Sequence, residues 1–78
     1  MVNIKVLGSG CPNCKRLEAV TRKVVESLGI EAEIEKVTEY AEIMKYPILA
    51  TPGLVINEKL VSAGRLPSEA QIAQWLQG

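Results

Sequence analysis

Apolar residues alternate with polar ones from Val2 to Leu7, where Asn3 and Lys5 separate Val2, Ile4 and Val6. That period of two predicts a strand with Val2, Ile4 and Val6 on its buried face, ended by Gly8 to Gly10. The period then changes. From Pro12 to Leu28, Leu17, Val20, Thr21, Val24, Val25 and Leu28 recur every three or four residues, the stripe of a helix lying on a core. Pro12 suits the first turn because its φ is already helical and no N–H is needed there, and Gly29 is a natural stop. Alternation returns from Ile30 to Val37, with Ile30, Ala32 and Ile34 inward and Glu31, Glu33 and Glu35 outward. Two strands joined by a helical crossover are most easily parallel, with a right-handed connection.

Thr38 is the expected N-cap of a short helix through about Met44, with Glu39 well placed against the helix dipole and Pro47 as the stop. Leu54 to Ile56 and Leu60 to Ala63 flank Asn57-Glu58-Lys59, two apolar runs around a polar turn, which predicts a hairpin closed by Gly64. Ser68-Glu69-Ala70-Gln71 has the form of a capping box, with Pro67 just before it. A last helix therefore runs from Glu69 to about Leu76 and buries Ile72, Trp75 and Leu76. The order is β-α-β-α-β-β-α, an α/β chain without repeat or linker, so residues 1–78 are expected to form one domain.

Composition narrows the function. Hydrophobic residues at 47% and charged ones at 23% describe a globule, neither disordered nor membrane-embedded. With no Phe and only Tyr40, Tyr46 and Trp75 as aromatics, the core must be aliphatic. Nine Lys and Arg balance nine acids, which removes the electrostatic case for a nucleic-acid or anionic-membrane partner. No basic leader or long apolar span is present, so a cytoplasmic location is expected, where thiols stay mostly reduced.

In that setting the two cysteines, Cys11 and Cys14, are the candidate chemistry. A bond between them would close too small a loop to stabilise the fold. Following a strand and opening a helix, however, the pair is well placed to form and break a disulfide repeatedly. Cys11, at the loop edge over the free N–H groups of the first turn, is the expected nucleophile, because partial positive charge there favours thiolate. Cys14, one turn in, is the expected resolving thiol.

The stretch YPILATPGLVIN, residues 46 to 57, adds a second motif. A C-x-x-C opening the first helix, followed some forty residues later by Thr51-Pro52 leading into an apolar strand, resembles the thioredoxin superfamily. The likeness is to its short members, the glutaredoxin-like thioredoxins and small redox-active disulfide proteins of archaea and bacteria, and it extends to the final VSAGRLPSEAQIAQWL segment. It implies a thioredoxin-like fold, a four-stranded mixed sheet with helices on both faces. It further implies a cis bond before Pro52, packed beside the cysteines, and a Thr51 backbone that offers hydrogen bonds to an extended substrate. The implied activity is reduction of protein disulfides by dithiol exchange, with no cofactor beyond the Cys11–Cys14 disulfide and no metal. The implied partners are disulfide-containing proteins and a reductase of thioredoxin-reductase or thiol type, with the protein acting as a monomer.

Several positions depart from the family pattern. Gly10 stands where thioredoxins carry an aromatic, and Lys5 where they bury an Asp, a residue type this chain lacks altogether. Lys5 either favours a thiolate or pairs with Glu35 on the neighbouring strand. Pro12-Asn13 matches neither the Gly-Pro of thioredoxins nor the Pro-Tyr of glutaredoxins, and Ala63-Gly64-Arg65 only partly matches the glutathione-holding signature. Pro12, Asn13, Lys5 and Lys15 are thus the candidates for tuning the Cys11 thiol, with Lys15 and Arg16 alternatively a solvated face. Tyr40 and Tyr46 either flank a substrate groove or cover the core.

Two rivals remain at this level. Copper and zinc carriers also place a C-x-x-C after their first strand, but with Met where this chain has Ser9 and with no use for Thr51-Pro52. A redox-switched interaction module would use the same dithiol without turnover.

Overall fold

The computed structural model describes residues 2–8, 10–48 and 50–77. Ser9, where the metal carriers keep a methionine, lies outside the described residues. The elements are β1 (Val2–Leu7), α1 (Pro12–Leu28), β2 (Ala32–Val37), α2 (Tyr40–Ile43), β3 (Gly53–Ile56), β4 (Lys59–Ala63) and α3 (Glu69–Gln77). The strands form one mixed sheet in the order β2-β1-β3-β4. β1 and β2 are parallel, from Val2 opposite Ala32 to Leu7 opposite Val37, while β3 is antiparallel to both β1 and β4. This is a thioredoxin-like α/β arrangement.

The helices divide the sheet into two apolar layers. On one face α1 and α3 bury Ile4, Val6, Leu17, Val24, Leu54, Ile56 and Ile72. On the other, α2 and the segment after it cover Leu7, Val37, Ile43, Ile48 and Val55. β3 is buried along its whole length because it is central and covered on both faces. Thr21 is fully buried within the α1 stripe, which it enters at no polar cost because its hydroxyl donates to the Leu17 carbonyl at 2.7 Å.

Gly29 ends α1 with φ 65, a left-handed conformation that glycine adopts without strain. The capping box of α3 forms as the sequence predicts: Gln71 N–H donates to Ser68 Oγ at 3.2 Å, and Ser68 N–H to Gln71 Oε1 at 3.1 Å. α3 buries Ile72 fully, while Trp75 and Leu76 are half-buried.

Three local expectations are corrected. β2 begins at Ala32 and leaves out Ile30, because β1 pairs from Val2, whose N–H donates to the Glu31 carbonyl at the ladder's start. Thr38 is exposed and does not cap α2; Glu39 is the N-cap through its backbone carbonyl, which accepts from Glu42 and Ile43 N–H at 3.0 Å. The hairpin turn is two residues long, since Lys59 already pairs with Ile56 in the ladder. Asn57 and Glu58 both have positive φ, 50 and 68, as a type I′ turn requires. Asn57 is further pinned to β1, accepting from Asn3 N–H at 3.0 Å and donating its own N–H to the Asn3 carbonyl at 2.7 Å.

Candidate active site

Cys11 is the N-cap of α1 in extended backbone conformation, and Pro12 takes the first helical turn. Its sulfur accepts a hydrogen bond from Cys14 N–H at 3.1 Å, so one of the free donors of the first turn is satisfied by sulfur where Ser or Asp more often serves. Cys11 and Cys14 are joined by a disulfide across a Cα separation of 5.0 Å. Cys14 is buried at 5% exposure, whereas Cys11 is half-buried at the loop edge. Only Cys11 therefore stands where an outside molecule reaches it without the fold opening. No acidic side chain lies in the first turn, where Pro12, Asn13, Lys15 and Arg16 are all exposed.

Gly8 lets the second sulfur sit where it does. The glycine is buried, and a Cβ built on it would overlap Cys14 Sγ. The chain thus leaves β1 through a residue whose missing side chain is the space occupied by Cys14.

Pro52 is buried at the start of β3, and the Thr51–Pro52 peptide bond is cis. Its carbonyl accepts from Gly64 N–H at 2.8 Å, tying the loop to the end of β4. Gly53, the next residue, pairs with Leu7, so β3 begins beside the end of β1 that leads to Cys11. Thr51 is exposed, and its Cβ approaches the position of a Gly8 Cβ to 3.9 Å. Among the described residues, the backbone hydrogen bonds outside helices and strands do not use Thr51. Beside it opens an apolar cavity of about 220 Å³ lined by Tyr40, Ile43, Met44, Ile48, Ala50 and Thr51. Tyr40 and Met44 are exposed, at 75% and 54%.

Lys5 does not meet Glu35, although the two are register partners in the parallel ladder. Its ammonium donates instead to Glu58 Oε1 at 2.7 Å and to the Tyr46 hydroxyl at 3.1 Å. The hydrogen bond with Glu58 holds Lys5 above its ordinary range and Glu58 below its own. Glu58 sits in the hairpin turn, past the pairing of Ile4 with Ile56 and so at the opposite end of β1 from Leu7. Of the predicted residues, the structure therefore brings together Cys11, Cys14, Thr51 and Pro52, and places Lys5 and Tyr46 in a clamp elsewhere.

Two charged side chains near the cysteines escaped the sequence reading. Glu18, one helical turn beyond Cys14, accepts from Arg22 at 3.0 and 3.1 Å and lies 3.5 Å from the Lys36 ammonium. The Arg22 hydrogen bonds hold the Glu18 carboxyl below its ordinary range, with Lys36 adding to the effect. Among the described residues no group of three or more Cys, Asp or Glu side chains is arranged to hold a metal ion.

Comparison with known proteins accords with this geometry. The model of the thioredoxin domain family matches residues 2–77. A thioredoxin of Methanothermobacter thermautotrophicus is 40% identical over 76 residues, covering 97% of this chain and 99% of that protein. A thioredoxin of Methanocaldococcus jannaschii is 41% identical over 76 residues, covering 97% of this chain and 87% of its own length. With the match running from the first strand to the last helix, the chain belongs to the thioredoxin domain family, and its C-x-x-C pair makes it a thiol–disulfide oxidoreductase.

Proposed function

We propose that the protein reduces disulfides in other proteins, with Cys11 as nucleophile and Cys14 as resolving thiol. The observation that carries the assignment is their unequal burial: Cys11 half-buried at the N-cap of α1, Cys14 buried beneath it. The Cys11 thiolate attacks a substrate disulfide and releases the first substrate thiolate. Cys14 then gives up its proton and attacks Cys11 Sγ, closing the intramolecular disulfide and releasing the second. The substrate gains two electrons and two protons, and the dithiol loses them.

The Thr51 backbone and the face of Pro52 form the floor on which the extended substrate lies. The cavity between Tyr40, Met44 and Thr51 accepts an apolar side chain flanking the substrate cysteine. Each turnover leaves the pair oxidised, so an upstream reductase of flavin or thiol type must restore it. We place this cycle in the cytoplasm, carried out by a monomer whose 78 residues act as one unit without further cofactor. Among the described residues, no helix is long and apolar enough to cross a membrane.

The test is to trap the intermediate. A Cys14→Ser variant incubated with a disulfide protein should accumulate a mixed disulfide on Cys11, and Cys11→Ser should give neither adduct nor turnover. Adducts recovered from Cys11→Ser alone would reverse the roles.

A further inference from the structure

The connection from α2 to β3 carries Thr51 and Pro52 at its far end and Tyr46 near its start. Tyr46 is half-buried against the apolar layer of Leu7, Val37, Ile43, Ile48 and Val55. Packing closes only one side of it. On the other side lies a polar cavity of about 340 Å³, whose lining includes Lys5, Glu35, Glu42, Lys45, Glu58 and Tyr46 itself. Across this side the hydroxyl supplies the hold that packing does not. It accepts from the Lys5 ammonium at 3.1 Å and donates to Glu58 Oε2 at 3.4 Å, while Lys5 donates to Glu58 Oε1 at 2.7 Å. These three groups form a closed ring of hydrogen bonds that joins the connection to β1 and to the hairpin turn. Glu58 is exposed, but the Lys5 side chain is only 21% exposed, so the ring is partly shielded from water and weighs more than an ordinary surface pair. The ammonium also lies 5.8 Å from the centre of the Tyr46 ring.

The main chain of the same residue holds a wall of the apolar groove. Ile48 N–H donates to the Tyr46 carbonyl at 2.7 Å, closing a three-residue turn around Pro47. Ile48 is buried and lines the cavity beside Thr51 together with Tyr40 and Met44. Its Cδ1 fills the space that a Cβ on Gly53, the residue after Pro52, would take. One tyrosine thus ties the inner wall of the groove to the hairpin end of the sheet.

We propose that Tyr46, held by Lys5 and Glu58, is a positioning residue for protein substrates: it sets the Ile48 wall against which a side chain flanking the substrate cysteine packs. This rests on the groove beside Thr51 being part of the substrate site. Tyr46 acts through Ile48 and exchanges no proton with the dithiol. Without its hydroxyl the ring still covers the core, but the turn that carries Ile48 is no longer fixed to the sheet. A small disulfide, which needs only Cys11, does not sense the difference.

Tyr46→Phe should raise KM for a protein disulfide such as insulin about threefold at unchanged kcat, the size of one net hydrogen bond. The rate with a small aromatic disulfide should stay in place. Lys5→Met should do the same. Because both variants break one ring, the double variant should also stand about threefold from the native chain, and not ninefold. Lys23→Met, which breaks an ion pair between α1 and α3 on the opposite face, is the control for lost surface charge and should leave KM in place. A merely structural role for Tyr46 would lower the urea midpoint and leave KM unchanged. Equal loss on both substrates, or multiplying effects in the double variant, would overturn the inference. An unchanged KM in Tyr46→Phe while truncation of Tyr40 and Met44 raises it would overturn the inference alone; an unchanged KM in both would overturn the groove with it.

Discussion

Replacing Gly8 by alanine should change the redox balance of the protein more than its fold. A Cβ at this position would overlap Cys14 Sγ and lie 3.2 Å from Cys14 Cβ, while the nearest atom from elsewhere in the chain, Thr51 Cβ, is 3.9 Å away. The conflict is thus almost entirely with one side chain. In the reduced protein the Cys14 sulfur is no longer tied to Cys11, so a change of its χ1 should relieve the overlap with the added methyl. In the oxidised protein its sulfur is tied to Cys11 and has no such freedom. Overpacking of this kind costs about 1–3 kcal/mol, and the larger share falls on the oxidised form.

A penalty on the oxidised form makes the disulfide easier to reduce, so the reduction potential rises. For a two-electron couple, a difference of that size corresponds to a shift of about 20–60 mV. Equilibration with glutathione buffers, followed by alkylation of the free thiols and mass analysis, measures it directly. Gly10→Ala is the control. Gly10 is exposed, has φ 90 and, among the described residues, has no neighbour within 4 Å of where a Cβ would stand, so alanine there strains only the backbone. That strain, about 1–2 kcal/mol, falls on both redox forms alike and leaves the potential in place. If Gly8→Ala lowers the urea midpoints of the oxidised and reduced forms equally and leaves the potential unchanged, the steric reasoning is wrong.

Two further outcomes follow from the groove and the clamp. Truncating Tyr40 and Met44 to alanine should raise KM for a protein disulfide about fivefold, the equivalent of about 1 kcal/mol of lost apolar contact, and leave the rate with a small aromatic disulfide unchanged; equal loss on both substrates would remove the groove from the substrate site. The clamp sets limits on pH stability. Glu58 is held below its ordinary 4.5, so its contribution is complete above pH 4.5 and is lost as pH falls through the folded value. Lys5 is held above its ordinary 10.5, so its contribution is complete below pH 10.5 and is lost as pH rises through the folded value. Urea midpoints measured against pH should show both losses in the native chain and a flatter profile in Lys5→Met; an unchanged acid limb in that variant would remove Glu58 as its cause.

What could be read from the sequence was whatever depends on near neighbours. The α1 stripe, its Pro12 start and Gly29 stop, and the Ser68–Gln71 capping box each lie within one helix or its ends, and each stands in the structure at the expected residues. Errors arose where a partner distant in sequence decides. Ile30 continues the alternation of β2, yet the strand's length is set by where β1 begins to pair. Lys5 had a reasonable partner in Glu35, but the tight turn that carries Glu58 to the same sheet face could not be placed without the register of β3. Glu18 was readable as a helical neighbour of Cys14, since the spacing is four. Its pairing with Lys36 was not readable, because Lys36 arrives from another strand.

The two ends of β1 are built on different principles. At the hairpin end, long side chains close the structure: Lys5 reaches Glu58 and Tyr46, and Asn57 binds the Asn3 backbone through both its side chain and its main chain. At the other end, closure depends on side chains being absent. Gly8 yields its space to Cys14, a Cβ on Gly53 would overlap Ile48 Cδ1, and one on Gly64 would come within 3.1 Å of Ala50 Cβ. Short residues let a sulfur and the Thr51–Pro52 backbone converge on one point, which a layer of branched side chains would hold apart. Apolar burial of Ile4 and Val6 against α1 and α3, between the two ends, supplies the stability that the glycine-built end does not. Substitutions at the hairpin end should therefore change stability with little effect on the potential, and substitutions among the three glycines should do the reverse to the extent that they touch sulfur. Gly8, alone of the three in facing Cys14 Sγ, is where packing and redox chemistry are the same contact.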